Sequence, residues 1–297
     1  MRNLAVRLLL CLLAASPHAQ ATEVLVAASQ DSPALQRFVA DLAGRRPQDQ
    51  VRFLTVAQLP PPATLSTDSR LILLGVDALD WRLNDAAGPP TLVLQINRVQ
   101  AYRRLSGNHP PHLTLLWSDP PPARQLQLIR QLLPQARRVG LVYSNASRFL
   151  VREIRQQAAT QGLALSAWYW PDPKDSRTFN RMLEDSDVVL GLDDPTLYNS
   201  ASIKSVLLAS YGRRMALIGP TAAFIRAGSL SSTFSDQQDW LDELDRLLSR
   251  PPQDWPRETY PNAFKVLGNP QVARSLGIEA GDDRDQARSL LEWEQSR

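Results

Sequence analysis

Apolar positions along the chain fall into short unbroken runs, separated by stretches in which they recur every three or four residues. EVLVAA (23–28), LILLGV (71–76) and TLVLQI (91–96) contain such runs, while VRFLTV (51–56) and HLTLLW (112–117) are interrupted by polar residues; all five read as strands. Unbroken branched apolar residues suit parallel strands covered on both faces. Leu35, Phe38, Val39 and Leu42 recur at helical spacing in 34–43. Asp31 or Ser32 is placed to cap that helix, with Pro33 in its first turn. A short helix is expected at 77–81, behind Gly75. Strands alternating with helices in this way predict a parallel α/β layer.

The rhythm starts again after Ser118-Asp119-Pro120-Pro121-Pro122, a stiff, extended stretch. Helices are expected at 123–133, 148–161, 176–184 and 203–214, and strands at 138–144, 163–168, 187–192 and 215–219. The predicted fold is two Rossmann-like α/β lobes with parallel sheets joined by a hinge. The first lobe is 22–117 and the second 118–228. The segment 229–281 reads as a return to the first lobe and a hinge. It opens with a strand at 229–234 that goes back to that lobe, then an amphipathic helix at 237–248. A Pro-rich, irregular stretch follows at 250–261, and 282–297 is a charged tail expected to dock loosely.

The start of the chain changes the picture. Arg2 and Arg7 flank a basic opening, the short apolar core 8–15 follows, and Ala19-Gln20-Ala21 is a small-x-small site. That is the build of a cleavable secretory leader over 1–21, which implies export to the periplasm. The apolar core is too short to span a bilayer. The one cysteine, Cys11, lies inside it behind Leu9 and Leu10, so the mature chain has no thiol or disulfide chemistry. Removing Arg2 and Arg7 with the leader lowers the formal charge from +3 to +1. The arginines are interspersed with acids, without the clustered basic face that nucleic acid requires.

Candidate chemistry gathers where predicted strands end, because ligands of open α/β sheets sit outside the carboxyl ends of the strands. The stretch DVVLGLDDPTLYNS (187–200) is a buried strand that breaks at Gly191 and delivers Asp193, Asp194 and Thr196. Ser29 and Gly75 end strands of the first lobe, and Thr221 follows a strand of the second. Thr221 also has a plain capping role open to it, and Asp194-Pro195 reads equally as a turn. Trp168-Tyr169-Trp170 is an aromatic cluster that either packs or lines a pocket. His109 and His112 are held apart by two prolines, with no cysteine or third histidine to complete a metal site.

Enzyme readings find little support. There is no G-x-S-x-G elbow, P-loop or G-x-G-x-x-G, and no histidine in the second lobe to serve as a base. Adjacent carboxylates such as Asp193 and Asp194 do not face each other across a sugar at glycosidase spacing. No cofactor is expected.

Four pieces, in this order, resemble one known family. They are LTLLWSDPPPARQLQLIRQLLPQARRVGLVYS (113–144), VVLGLDDPTLYN (188–199), MALIGPTAAFIRAGSLSSTFSD (215–236) and the run Asn269-Pro270-Gln271-Val272-Ala273-Arg274-Ser275-Leu276-Gly277-Ile278. Their order and spacing resemble the substrate-binding proteins of ABC importers of the uncharacterised-transport type, built on the type I periplasmic-binding fold. The stretch 22–111 lies outside the resemblance. The resemblance implies a monomer that closes two lobes on a small solute and passes it to an ABC permease in the inner membrane. It places Ser144, Asn145 and Ser147 where the second lobe's first loop meets the cleft, beside the N–H groups that open the next helix. The family's binders of aromatic amino acids point to an amino-acid-like ligand. The alternatives are a ligand-sensing or accessory module on the same fold without transport, and a secreted carbohydrate-active or transferase enzyme.

Overall fold

A computed structural model describes residues 21–296, apart from 106 and 108. The leader expected at 1–21 lies, except for Ala21, outside the described residues. Two six-stranded sheets form the two lobes. The first is built from β1 (Glu23–Ala28), β2 (Gln50–Thr55), β3 (Arg70–Leu74), β4 (Thr91–Ile96) and β5 (Leu113–Trp117), with the short β11 (Glu258–Thr259) at its edge. Its order is β11-β5-β4-β3-β1-β2, and each pair is parallel. Val24, Ile72 and Leu92 point to one face, where α1 (Pro33–Arg45) and α9 (Gln237–Leu248) cover them with Phe38, Leu42, Leu241 and Leu244. Leu25, Leu71 and Val93 point to the other face, under α2 (Val76–Leu83) and α3 (Arg98–Leu105). Covering on both faces explains the unbroken apolar runs.

The second sheet holds β6 (Arg138–Tyr143), β7 (Ala164–Tyr169), β8 (Val188–Leu190), β9 (Leu217–Ile218), β10 (Ser231–Phe234) and β12 (Lys265–Gly268). Its order is β12-β10-β9-β8-β6-β7, parallel except for the antiparallel β10–β12 pair. Around it lie α4 (Pro122–Leu132), α5 (Leu150–Thr160), α6 (Arg177–Glu184), α7 (Ile203–Gly212), α8 (Ala222–Ala227), α10 (Pro270–Leu276) and α11 (Asp283–Gln295). Gly140 is required by close approach: a Cβ there would collide with Met182 and Ser186, where α6 presses on β6.

The chain crosses between lobes from β5 to α4, from β10 to α9 and from β11 to β12. The strand at 229–234 therefore does not go back to the first lobe. As β10 it stays in the second sheet, held by β9 and β12, and α9 makes the return. The tail is not loosely docked either. Leu290 of α11 is fully buried in the second lobe's core, and the Arg124 guanidinium donates to both carboxylate oxygens of Glu294 at 2.7 and 3.0 Å. The Pro-rich 250–261 yields β11, which extends the first sheet.

Candidate functional site

The loop after β8 is organised by one carboxylate. Asp194 has no exposed surface, and four donors satisfy it. The Ser144 and Ser147 hydroxyls each donate to Oδ2 at 2.6 Å, while the Thr196 N–H and hydroxyl donate to Oδ1 at 2.9 and 2.6 Å. Ser147 also accepts from the Ser144 N–H at 3.0 Å. A buried carboxylate is tolerable when it is hydrogen-bonded in this way. The bracket ties the β6–α5 loop to the β8–α7 loop, so two adjacent strand ends form one rigid lip. Tyr198, buried behind it, has its phenol pKa pushed up by burial and by the nearby Asp194 charge.

Above this lip opens a cavity of about 420 Å³. Ser144, Asn145, Ala146, Tyr169, Pro171 and Thr196 line it from the second lobe, and Arg103 of α3 lines it from the first. Asn145 and Thr196 are exposed there, and the Tyr169 ring remains 37% open. The Arg148 guanidinium lies 5.2 Å from the Tyr169 ring centroid, a cation–π arrangement. A wider hollow of about 780 Å³ runs from Thr196 past Asn199, Ser205 and Leu208, but the second lobe alone lines it.

The lobes meet along a seam beside the cavity. Tyr102 of α3 stacks on Phe149 at 3.9 Å between centroids, with 12° between the planes. Arg98 donates to both carboxylate oxygens of Glu153 on α5, at 3.0 and 2.6 Å. Burial by itself lowers the Arg98 pKa, but the Glu153 carboxylate overcomes it and the net shift is upward. The Arg98 backbone N–H donates to Asp119 at 3.0 Å. Crowding pushes the Asp119 carboxyl up to about 7: burial raises it, the Arg98 N–H opposes, and the Asp193 charge raises it further. Asp193 is also pushed up by burial, although the Asn97 side chain hydrogen-bonds it. Arg98, Asp119, Gln125 and Asp193 leave a gap of only about 30 Å³ between them.

The structure thus brings together Ser144, Asn145, Ser147, Asp194 and Thr196. Ser147 and Asp194 point inward as the bracket, whereas Asn145 and Thr196 face the cavity. Asp193 stands in the seam. Ser29 donates to Asp77 at 2.6 Å at the first lobe's strand ends. Gly75 (φ 85°) starts α2 nearby, in a conformation that favours glycine. A hollow of about 350 Å³ beside them is lined by Gln30, Phe38, Gln95 and Trp240. Thr221 is half-buried ahead of α8 and makes no side-chain cap bond.

Sequence reasoning missed Asn97, Arg98, Arg103 and Asp119. The signal was the strand end at Ile96 followed by RVQAYRRL, a segment whose three arginines and absence of acids set it apart. Among the described residues no group of three or more His, Cys, Asp or Glu side chains could hold a metal ion. No helix among them is long and apolar enough to cross a membrane.

A substrate-binding protein with adhesive properties from Clostridium difficile, in its ligand-free, open structure, is similar at a TM-score of 0.65 and 13% identity, over 88% of this chain and 97% of that one. A conserved domain protein from Vibrio cholerae gives 0.58 and 16%, over 88% and 96%. An ABC domain from Streptococcus pneumoniae in complex with L-Trp gives 0.56 and 18%, over 90% and 98%. Such likenesses show the fold, a type I periplasmic-binding one. No curated protein matches the sequence. The family model described as ABC transporter substrate binding protein matches residues 118–279, more than half of the 297. The chain belongs to the ABC transporter substrate-binding protein family.

Proposed function

We propose that this chain is an exported periplasmic protein that captures a small solute between its lobes and delivers it to an ABC importer in the inner membrane. The observation that carries the reading is the cavity lined from both lobes, with Arg103 on one side and Asn145, Tyr169 and Thr196 on the other. Its volume falls within the range of about 300–1,000 Å³ common to small-molecule sites. A ligand touching both walls binds the closed arrangement better than an open one, and that difference drives closure. Asn145, Thr196 and the Ser144 loop supply polar contacts, the Tyr169 ring supplies a wall, and Asp194 with Ser147 holds the lip. Asp193 in the seam, Ser29 and Gly75 at the first lobe's strand ends and Thr221 ahead of α8 are the reading's further contact positions, outside the lining of this cavity. The leader-like start and the family support the periplasmic location and the permease partner.

Thermal-shift screening of amino acids, sugars, nucleosides and organic acids tests capture. One chemical class should raise the melting temperature without being turned over. Turnover lost on mutating Asp193 or Asp194 contradicts the reading. Uptake of that solute by cells lacking the gene separates transport from sensing, since only transport requires uptake to fall.

A further inference from the structure

We propose that the cavity between the lobes takes a small organic oxyanion, and that Arg103 selects it by charge. This inference rests on the capture reading and adds the class of the solute. Helix α3 carries Arg98, Arg103 and Arg104 and no acid. Arg98 is consumed by Glu153, and Arg104 by Asp80 at 2.9 Å. Arg103 alone faces the cavity, exposed and without an ion pair among the described residues.

A second cation lies behind the opposite wall, against one of its lining rings. Arg148 lies against the Tyr169 ring and has no carboxylate partner among the described residues. No acid lines the cavity. Asp194 is buried and bonded to three side-chain hydroxyls. Asp193 sits in the seam against Asn97. Asp172, behind Pro171, accepts from the Lys174 N–H at 3.0 Å. The remaining polar lining, Ser144, Asn145 and Thr196, is uncharged. The lining therefore presents one unpaired cation, Arg103, and no carboxylate, and its complement is a solute carrying a carboxylate or a phosphate. A guanidinium matches either group with two parallel N–H donors. The open Tyr169 ring gives the organic part a flat surface.

The test is titration calorimetry of the full mature chain at fixed ionic strength. Acetate, succinate, benzoate and phenyl phosphate are compared with acetamide, succinamide, benzamide and benzyl alcohol. At least one oxyanion should bind while its neutral counterpart does not, and added salt should weaken it. Success with the carboxylates or with phenyl phosphate tells the two anion types apart. Arg103→Gln should weaken that anion by about tenfold or more, with the melting temperature of the free protein unchanged. Arg103→Lys should restore part of the loss. The proposal is overturned if no oxyanion binds, if neutral members bind equally well, or if Arg103→Gln leaves the anion's affinity unchanged. A neutral solute that binds and is weakened by Asn145→Ala removes the charge assignment and leaves capture standing. A folded protein stabilised by no solute in the wider screen removes capture itself.

Discussion

At the scale of residues, two carboxylates have opposite environments and opposite consequences. Asp194 is the centre of a satisfied bracket. Replacing it with Ala leaves the Ser144 and Ser147 hydroxyls buried without their acceptor, both lying within 9% exposure. Asp194→Ala should cost about 3 kcal/mol in urea unfolding and loosen the lip. Asp119 is instead held with its pKa raised from 3.8 to about 7. Folding binds that proton more tightly than the unfolded chain does. The stability it contributes is complete below about pH 4 and is lost as pH rises through 7. Asp119→Asn should flatten this fall in melting temperature between pH 4 and 8, and an unchanged pH profile would contradict the assignment. Neither environment was legible beforehand. Asp193-Asp194 reads as one acid pair, and only the β6–α5 loop, some 50 positions away in sequence, shows which carboxylate turns inward.

At the scale of elements, the seam between α3 and α5 holds the lobes in their present relation. Arg98→Ala removes a two-point ion pair and leaves Glu153 without its partner. The ligand-free protein should then open, seen as a larger radius of gyration by X-ray scattering, with melting affected far less. Helix α11 is a different case, because Leu290 lies fully inside the second lobe's core. Leu290→Ala should destabilise by about 2–5 kcal/mol. Gly140→Ala should also destabilise, since Met182 and Ser186 already occupy the space of its Cβ.

What could be read in advance at this scale followed local patterning. The buried strands from Val24 to Leu116 were visible as apolar runs, and α1 through Leu35, Phe38 and Leu42. Helix α3 was not, because RVQAYRRL is short and polar and buries only Val99, Ala101 and Leu105. The Ser231–Phe234 strand was visible as a strand, but its partners were not. Pairing with β9 and β12 is a tertiary outcome that no local period encodes. The tail looked loosely docked because its charges dominate, yet Leu290, the Arg124–Glu294 ion pair and hydrogen bonds at Asp283 and Ser289 hold it.

At the scale of the whole molecule, two sheets cross-connected three times bring α3 of the first lobe against α5 and the strand-end loops of the second. On the second lobe's side of the cavity, Ser144, Asn145 and Thr196 were candidates in advance, because they lie in the part that resembles the family. On the first lobe's side Arg103 was not, since 22–111 lies outside that resemblance and Arg103 sits on a helix without a clear periodic signature. The central claim is that a solute bridges the two walls. Hydrogen–deuterium exchange, with and without the solute that stabilises the protein, tests it most directly. The account predicts slowed exchange both in the 144–148 loop and along α3 when the solute is bound. Slowing confined to one lobe, or found away from both, would contradict it.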